Sequence, residues 1–175
     1  MFFSKTIILA LATTAVALPT SHQLDKRAGI LKKEPYAQFQ VSDGVGGDAL
    51  AEVQKKFPID EAKIASLDPA DLQIIKDARL TAEKAETEAF DPAIAKATGE
   101  EKNELEVGKI KNKVLKLQLE VQGIEAELAQ TKTLDAKEKK KKEAKLEEEK
   151  KKLTTNIAED KKNAGKKSKS VPFNG

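Results

Sequence analysis

From Val107 onward, apolar residues return at intervals of three and four: Val107, Ile110, Val114, Leu117, Val121, Ile124 and Leu128, with Thr131 closing the series. A strand would alternate with period two, whereas this spacing is the seam of a long helix of coiled-coil type. The positions between are mostly Lys, Glu, Asn and Gln. A stripe of this kind cannot bury itself, so the pattern predicts a partner helix. The helix is predicted over 99–130. Leu115, Leu119 and Ala126 form a second, narrower stripe off the seam, which predicts packing on two sides. Gly108 and Gly123 also lie off the seam, each less favourable than Ala by about 1 kcal/mol in a helix interior.

Upstream, residues 48–98 read as a set of short helices. Leu50, Val53 and Phe57 share one face of the first, which begins at Asp48 as N-cap and ends at Pro58. Asp60 caps a second short helix carrying Ile64 and Leu67. Asp68-Pro69-Ala70-Asp71 is a helix start, with Asp at the cap, Pro in the first turn and a carboxylate behind it. The helix that follows, to about Ala89, presents Leu72, Ile75, Ala78, Ala82, Ala85 and Ala89, a face of small residues against which another helix can lie closely. Asp91-Pro92 opens a further helical piece, and Thr98 with Glu101 has the form of a capping box for the seam helix. Residues 28–47 are irregular, with Tyr36, Phe39 and Val41 compatible with a short extended piece. The run Ser42-Asp-Gly-Val-Gly-Gly-Asp48 breaks regular structure. It lacks the Gly-Lys-Ser/Thr ending of a phosphate loop, and Asp43 and Asp48 would repel phosphate. Two carboxylates also fall short of a calcium site, which takes about six to eight oxygens.

Three arrangements can fill the seam. In the first, Thr131 to Asp135 turns the chain and Asp135 caps a returning helix, whose Leu146, Leu153 and Ile157 then lie near Val121, Val114 and Ile110. In that hairpin the Lys139 to Lys142 run faces Glu125 and Glu127. In the second, two chains pair; a parallel dimer sets Glu120 against Glu125, a like-charge contact, and gains Glu106 against Lys111. In the third, one continuous helix is partly free. The charges favour the hairpin, although neither Gly nor Pro marks its turn. The fold class predicted is all-α: a small N-terminal helical cluster packed on a long helical hairpin, with residues 28–162 as the helical domain.

The two ends carry different signals. Residues 1–17 have Lys5, a largely apolar run of 13 residues from Thr6 to Leu18, and the small-x-small triplet Ala15-Val16-Ala17. This is a secretory signal peptide cut after Ala17, and too short to span a bilayer, which takes about 20 residues. Residues 18–27 end in Lys26-Arg27, the form of a propeptide removed by a kexin-type protease of a fungal secretory route. The mature chain then starts at Ala28, lies outside the cell and carries no membrane segment. The tail from Asn163 to Gly175, rich in Lys and Ser with Gly165 and Pro172, is expected to be disordered.

Processing also limits the chemistry. The only His, His22, leaves with the propeptide, and the chain contains no Cys and no Trp. No Ser-His-Asp triad, Cys-His pair or imidazole metal site can be built from residues 28–175. A carboxylate-pair hydrolase remains chemically open, but four Phe and Tyr36 supply little of the aromatic platform such enzymes use. No catalytic residue, metal ligand or cofactor is expected.

Charge is high and nearly balanced, with 32 Lys and Arg against 29 Asp and Glu. It is unevenly placed: residues 28–99 carry 9 cations and 13 anions, and residues 134–175 carry 14 and 8. The Lys139 to Lys152 run interleaves with Glu138, Glu143 and Glu147 to Glu149, giving pairs such as Glu147–Lys151 and Glu148–Lys152. That is a solvated helix face. No Arg or aromatic accompanies it, so nucleic acid is not an expected partner. An anionic wall polymer is the alternative partner for this basic end, beside an unknown protein or a second copy of the chain.

The stretch Tyr36-Ala-Gln-Phe39-Gln-Val-Ser-Asp-Gly-Val-Gly-Gly-Asp-Ala-Leu-Ala-Glu-Val53, with Phe57-Pro-Ile59, Ala85-Glu-Thr-Glu-Ala-Phe90 and Gly108-Lys-Ile-Lys-Asn-Lys-Val-Leu-Lys-Leu-Gln-Leu-Glu-Val121, resembles a family of uncharacterised small secreted proteins of filamentous ascomycete fungi. The resemblance covers nearly all of the mature chain. It implies an extracellular fungal protein, an effector candidate, and supplies no catalytic motif. The function expected is therefore non-enzymatic protein–protein interaction, in the cell wall or beyond it. Light scattering on residues 28–175 across a range of concentrations is expected to give a monomer throughout, because a hairpin fills the seam; a concentration-dependent dimer would place the seam on the outside.

Overall fold

The computed structural model describes residues 29–131 and 133–174. The expected cleavage sites at Ala17 and at Lys26 and Arg27 lie outside the described residues. In order, the elements are a single helical turn α1 (Tyr36–Phe39), β1 (Gly44–Val45), α2 (Ala49–Lys56), a 3₁₀ run (Glu61–Ser66), α3 (Pro69–Lys84), a π-helical turn (Ala85–Phe90), α4 (Asp91–Lys96), α5 (Gly99–Gln130), α6 (Ala136–Lys162) and β2 (Lys167–Ser168). The fold is all-α: a cluster of short helices packed on a long helical hairpin made by α5 and α6.

α5 is the axis of the molecule because its sequence is apolar on more than one face. Val114, Leu117 and Val121 of the seam pack with Leu153 of α6 and Ala49 of α2, with Leu146, Ile157 and Leu50 closing the edges. Leu115 and Leu119, the second stripe, enter a different core with Ile75, Ala78, Ala82 and Ala85. The small side chains on α3 admit these leucines. Tyr36, Phe39, Val53 and Phe57 complete that core. Near the start of α5, Leu105 packs with Phe90 and Val171. The helix thus has neighbours on three sides, and the seam is filled within the chain.

The return into α6 uses neither Gly nor Pro. Thr131 ends α5 in an extended conformation (φ −87°, ψ 100°), and Asp135 accepts a hydrogen bond from Glu138 N at 2.7 Å to start α6. Ion pairs then lace the two helices: Lys142 to Glu127, Lys145 to Glu120, and Lys150 to Glu125 at 2.8 Å. The start signals at Asp60 and Asp68 also act as written, accepting from Ala62 N at 3.1 Å and Ala70 N at 2.7 Å.

Three local expectations are corrected. The second short helix is a 3₁₀ run, with Leu67 just past its end. Asp91-Pro92 does not start a separate helix; α3 continues through the π-helical turn directly into α4. A proline inside a helix removes one backbone hydrogen bond, and a π turn is a common adjustment where the regular ladder is interrupted. Thr98 makes no side-chain cap, so the capping box is not formed; Gly99 instead enters α5 with φ of 60°.

The largest correction concerns the tail expected to be disordered. After Gly165, with φ of 77°, Lys167 and Ser168 pair antiparallel with Val45 and Gly44. Lys169 N then donates to Glu104 O of α5 at 3.0 Å. Val171 is buried with Phe90 and Leu105, and the Phe173 ring meets Tyr36 edge-on, with centroids 5.7 Å apart. Composition had pointed to disorder, but two apolar anchors and a short backbone pairing hold the segment down. The crossing is close because residue 108 is Gly: a Cβ there would lie 2.0 Å from Lys169 O.

The two glycines of α5 should therefore behave oppositely. Gly108→Ala is expected to destabilise the protein by about 1–3 kcal/mol, the range for an overpacked site, despite its gain in helix propensity. Gly123→Ala meets nothing within 4 Å and is expected to stabilise by up to about 1 kcal/mol. Urea unfolding of the two variants beside the parent chain checks the contrast.

Candidate functional site

The seam residues are not a docking surface. Val107, Val114, Leu117, Val121 and Ile124 are buried, and Ile110 and Leu128 are half-buried. Val107 and Ile110 lie at the far end of α6 beside Glu159 and Asn163, whereas Ile124 shares a small cleft with Leu80.

The Gly-rich run Ser42 to Asp48 is occupied from inside the protein. Lys111 is fully buried, and its Nζ donates to Asp43 O at 2.9 Å, to Val45 O at 2.9 Å and to the Glu52 carboxylate, with Oε2 at 2.9 Å. All three ammonium donors are therefore used. In sequence Lys111 looked like an exposed flank of the seam. On the other side of the run, Asp160 of α6 accepts from Gly47 N at 3.0 Å and from Ala49 N at 2.8 Å. Asp48 makes no side-chain cap, contrary to expectation. A carboxylate from another helix sits at the N-terminus of α2, where the free N–H groups and the helix dipole favour an anion. The run thus binds a lysine with its carbonyls and an aspartate with its N–H groups. Both partners belong to the chain.

Among the described residues, a groove of about 830 Å³ lies between the segment from Ile30 to Tyr36, the end of α2 and the outer side of α3. Its floor is aromatic and aliphatic: Tyr36, Phe39, Phe57, Ile74 and Ala78. Tyr36 and Phe39 stack edge-on at 5.5 Å, and Phe39 and Phe57 at 5.9 Å. Its rim carries Lys32, Lys33, Lys55 and Lys56 against Glu34 and Asp77. Lys33 approaches Asp77 at 3.6 Å, and Lys56 Nζ donates to Gln38 O at 2.6 Å. Lys32 and Lys55 make no ion pair among the described residues. Ile30 and Leu80, at 62% and 49% exposure, stand open at the edges. Sequence reading saw Tyr36 and Phe39 as an irregular piece. The groove was not visible because its three walls are separated by up to about 45 residues in the chain.

Tyr36 joins this floor to the interior. Its hydroxyl donates to Asn112 Oδ1 at 2.9 Å, and Asn112 Nδ2 donates to Ala82 O at 2.8 Å. Burial pushes the phenol up to about 12, while the hydroxyls of Ser42 and Ser170 pull it part of the way back.

A smaller cleft between α3, α5 and α6 holds two carboxylates, each shared by two cations: Glu120 with Arg79 and Lys145, and Glu127 with Lys76 and Lys142. Burial opposes the charge of Glu127, but the hydrogen bonds from Lys142 and Lys76 outweigh it and hold this carboxyl below its ordinary value. Among the described residues no cluster of three or more His, Cys, Asp or Glu is arranged to hold a metal ion, and no helix is long and apolar enough to cross a membrane.

Residues 31–172 match the family model described as Domain of unknown function (DUF8454). The chain belongs to that family. No curated protein and no solved structure matches it.

The Tyr36 phenol can be followed without interference, since it is the only Tyr and there is no Trp. Spectrophotometric titration is expected to show its ionisation near 12 in the folded protein, against about 10 after unfolding. Because the folded value is the higher one, this group's contribution to stability is intact below about pH 10 and is lost as pH rises toward 12.

Proposed function

We propose that this member of the DUF8454 family is a secreted, non-enzymatic binding protein that engages another protein through the lysine-rimmed groove. The observation that carries the proposal is the combination of an aromatic floor with four lysines around it. An apolar floor takes hydrophobic side chains, and an excess of cations at the rim selects a partner segment that also carries carboxylates. The seam that suggested a partner helix is filled by α6, so the groove is the better surface for a foreign chain. Rigid support comes from Tyr36, Phe39 and Phe57, which belong both to the groove and to the core. The location outside the cell rests on residues 1–27 of the sequence and on the resemblance to secreted ascomycete proteins. An effector or a wall-associated protein fits this reading.

A polyanion-binding role for α6 is the second reading. Lys137, Lys140, Lys141 and Lys151 make no ion pair among the described residues, while six other lysines of α6 are held by glutamates.

A labelled ten-residue peptide alternating Leu and Glu tests the first reading, with an alternating Leu and Lys peptide as control. The acidic peptide is expected to bind, to change Tyr36 fluorescence, and to lose affinity about tenfold in the chain carrying Lys32→Glu and Lys55→Glu. Equal binding of both peptides, or indifference to these substitutions, would overturn it. Salt-sensitive retention on heparin that disappears with Lys137→Gln, Lys140→Gln and Lys141→Gln would favour the second reading instead.

A further inference from the structure

Gly123 leaves a gap where three helices meet. It is buried within α5, yet a Cβ at this position would meet nothing within 4 Å. Gly108 on the same helix is explained by a close crossing, 2.0 Å from Lys169 O, whereas nothing presses on Gly123 among the described residues. A Gly in a helix interior also gives up about 1 kcal/mol relative to Ala. The gap is part of the cleft of about 310 Å³ between α3, α5 and α6. Leu119 and Ile124 of α5 and Leu80 of α3 line it, so its walls are aliphatic.

The charges around the gap lie in two tiers. Glu120, Gly123 and Glu127 follow one another at spacings of three and four, so they share a face of α5, with the gap between the two carboxylates. Glu120 meets Arg79 and Lys145; Glu127 meets Lys76, at 2.5 Å, and Lys142. Arg79 also meets Glu83, at 2.7 Å. Four cations thus share three carboxylates, and the surplus is a single positive charge. It falls at the Glu127 end, where Lys76 and Lys142 share one carboxylate. These two lysines are 40% and 36% exposed, and an ammonium has three donors. Each can turn a further N–H toward a bound oxygen while its methylene stem lies against apolar neighbours.

We infer that this cleft binds an aliphatic monocarboxylate of medium chain length, its head between Lys76 and Lys142 and its chain laid across Gly123 toward Leu80 and Leu119. The charge count sets the head: one surplus cation takes one anion, and a cationic head would be repelled. The volume sets the chain. The 310 Å³ of the cleft holds roughly ten groups the size of a water molecule, at about 30 Å³ each, and octanoate has that many heavy atoms. Small-molecule pockets run from about 300 to 1,000 Å³, mostly apolar with a few convergent polar groups, and this cleft stands at the small end of that range. The inference does not rest on the groove by Tyr36, with which the cleft shares only Leu80.

The test titrates ¹⁵N-labelled residues 28–175 with sodium octanoate and follows the amide shifts by NMR, with acetate and octylammonium as controls. Octanoate is expected to shift the Gly123 and Ile124 amides and to bind at least about tenfold more tightly than acetate, because its longer chain leaves water. Octylammonium is expected to leave both amides in place. The chain carrying Lys76→Gln and Lys142→Gln should bind octanoate about fivefold more weakly. Gly123→Leu, whose side chain fills the gap, should abolish binding. If that variant does not fold, Gly123→Ala takes its place and should lower affinity about threefold, since its methyl group occupies part of the gap. Equal affinities for octanoate and acetate would overturn the inference. So would an octylammonium shift of the same size at Gly123, or octanoate shifts confined to Tyr36 and Phe39 in the groove. Gly123 variants alter no residue that lines the groove, so failure here leaves the peptide-binding test standing, and the reverse holds too.

Discussion

The structure depends on the burial of α5. A helix of 32 residues that is apolar on more than one side cannot be stable alone in water, and every other element can be read as a cover for one of its faces. α6 covers the seam, α3 covers the Leu115 and Leu119 stripe, and the C-terminal segment crosses at Gly108. The covers differ in kind. α6 is highly charged and offers few apolar residues, so its pairing relies on Leu146, Leu153 and Ile157 together with ion pairs along both edges. α3 offers alanines and packs closely.

Charge fixes which cover goes where. Glu120 and Glu127 each take one cation from α3 and one from α6, so the two carboxylates tie three helices together. Exposed pairs of this type contribute little singly, but these glutamates are 11% and 26% exposed, and each is shared. The same logic is carried further inside. Lys111 and Asp160 reach into the Gly-rich run from α5 and α6 and satisfy its carbonyls and its N–H groups respectively. A loop with little side-chain volume is thereby given a single conformation. β2 then pairs against it.

These constraints leave a broad surface unfilled among the described residues. The groove by Tyr36 is walled by the segment that Asp71 holds, floored by the aromatic residues of the core and rimmed by lysines with few partners. Its floor cannot rearrange independently of the core, because Tyr36 is tied through Asn112 to α3 and α5. A surface of this kind suits recognition by shape and charge, and the proposed function rests there.

The sequence alone determined the long helices and the second stripe of α5, and its charges favoured the hairpin over two other arrangements of the seam. Heptad spacing, Asp caps and the complementary charges of α5 and α6 are local or pairwise signals, legible wherever the pattern repeats. The family resemblance added only an expectation of secretion. What the tertiary structure decided has no local signature. Lys111 reads as one more surface lysine until the Gly-rich run folds over it. Asp160 caps a helix more than a hundred residues away, displacing Asp48, the cap that sequence proximity suggests. The tail has the composition of a disordered segment, yet Val171 and Phe173 find pockets that three other elements create. The groove likewise exists only where distant pieces of chain meet. Periodicity shows which face of a helix must be covered; it does not show what covers it, because that choice is made by contacts between residues far apart in the chain.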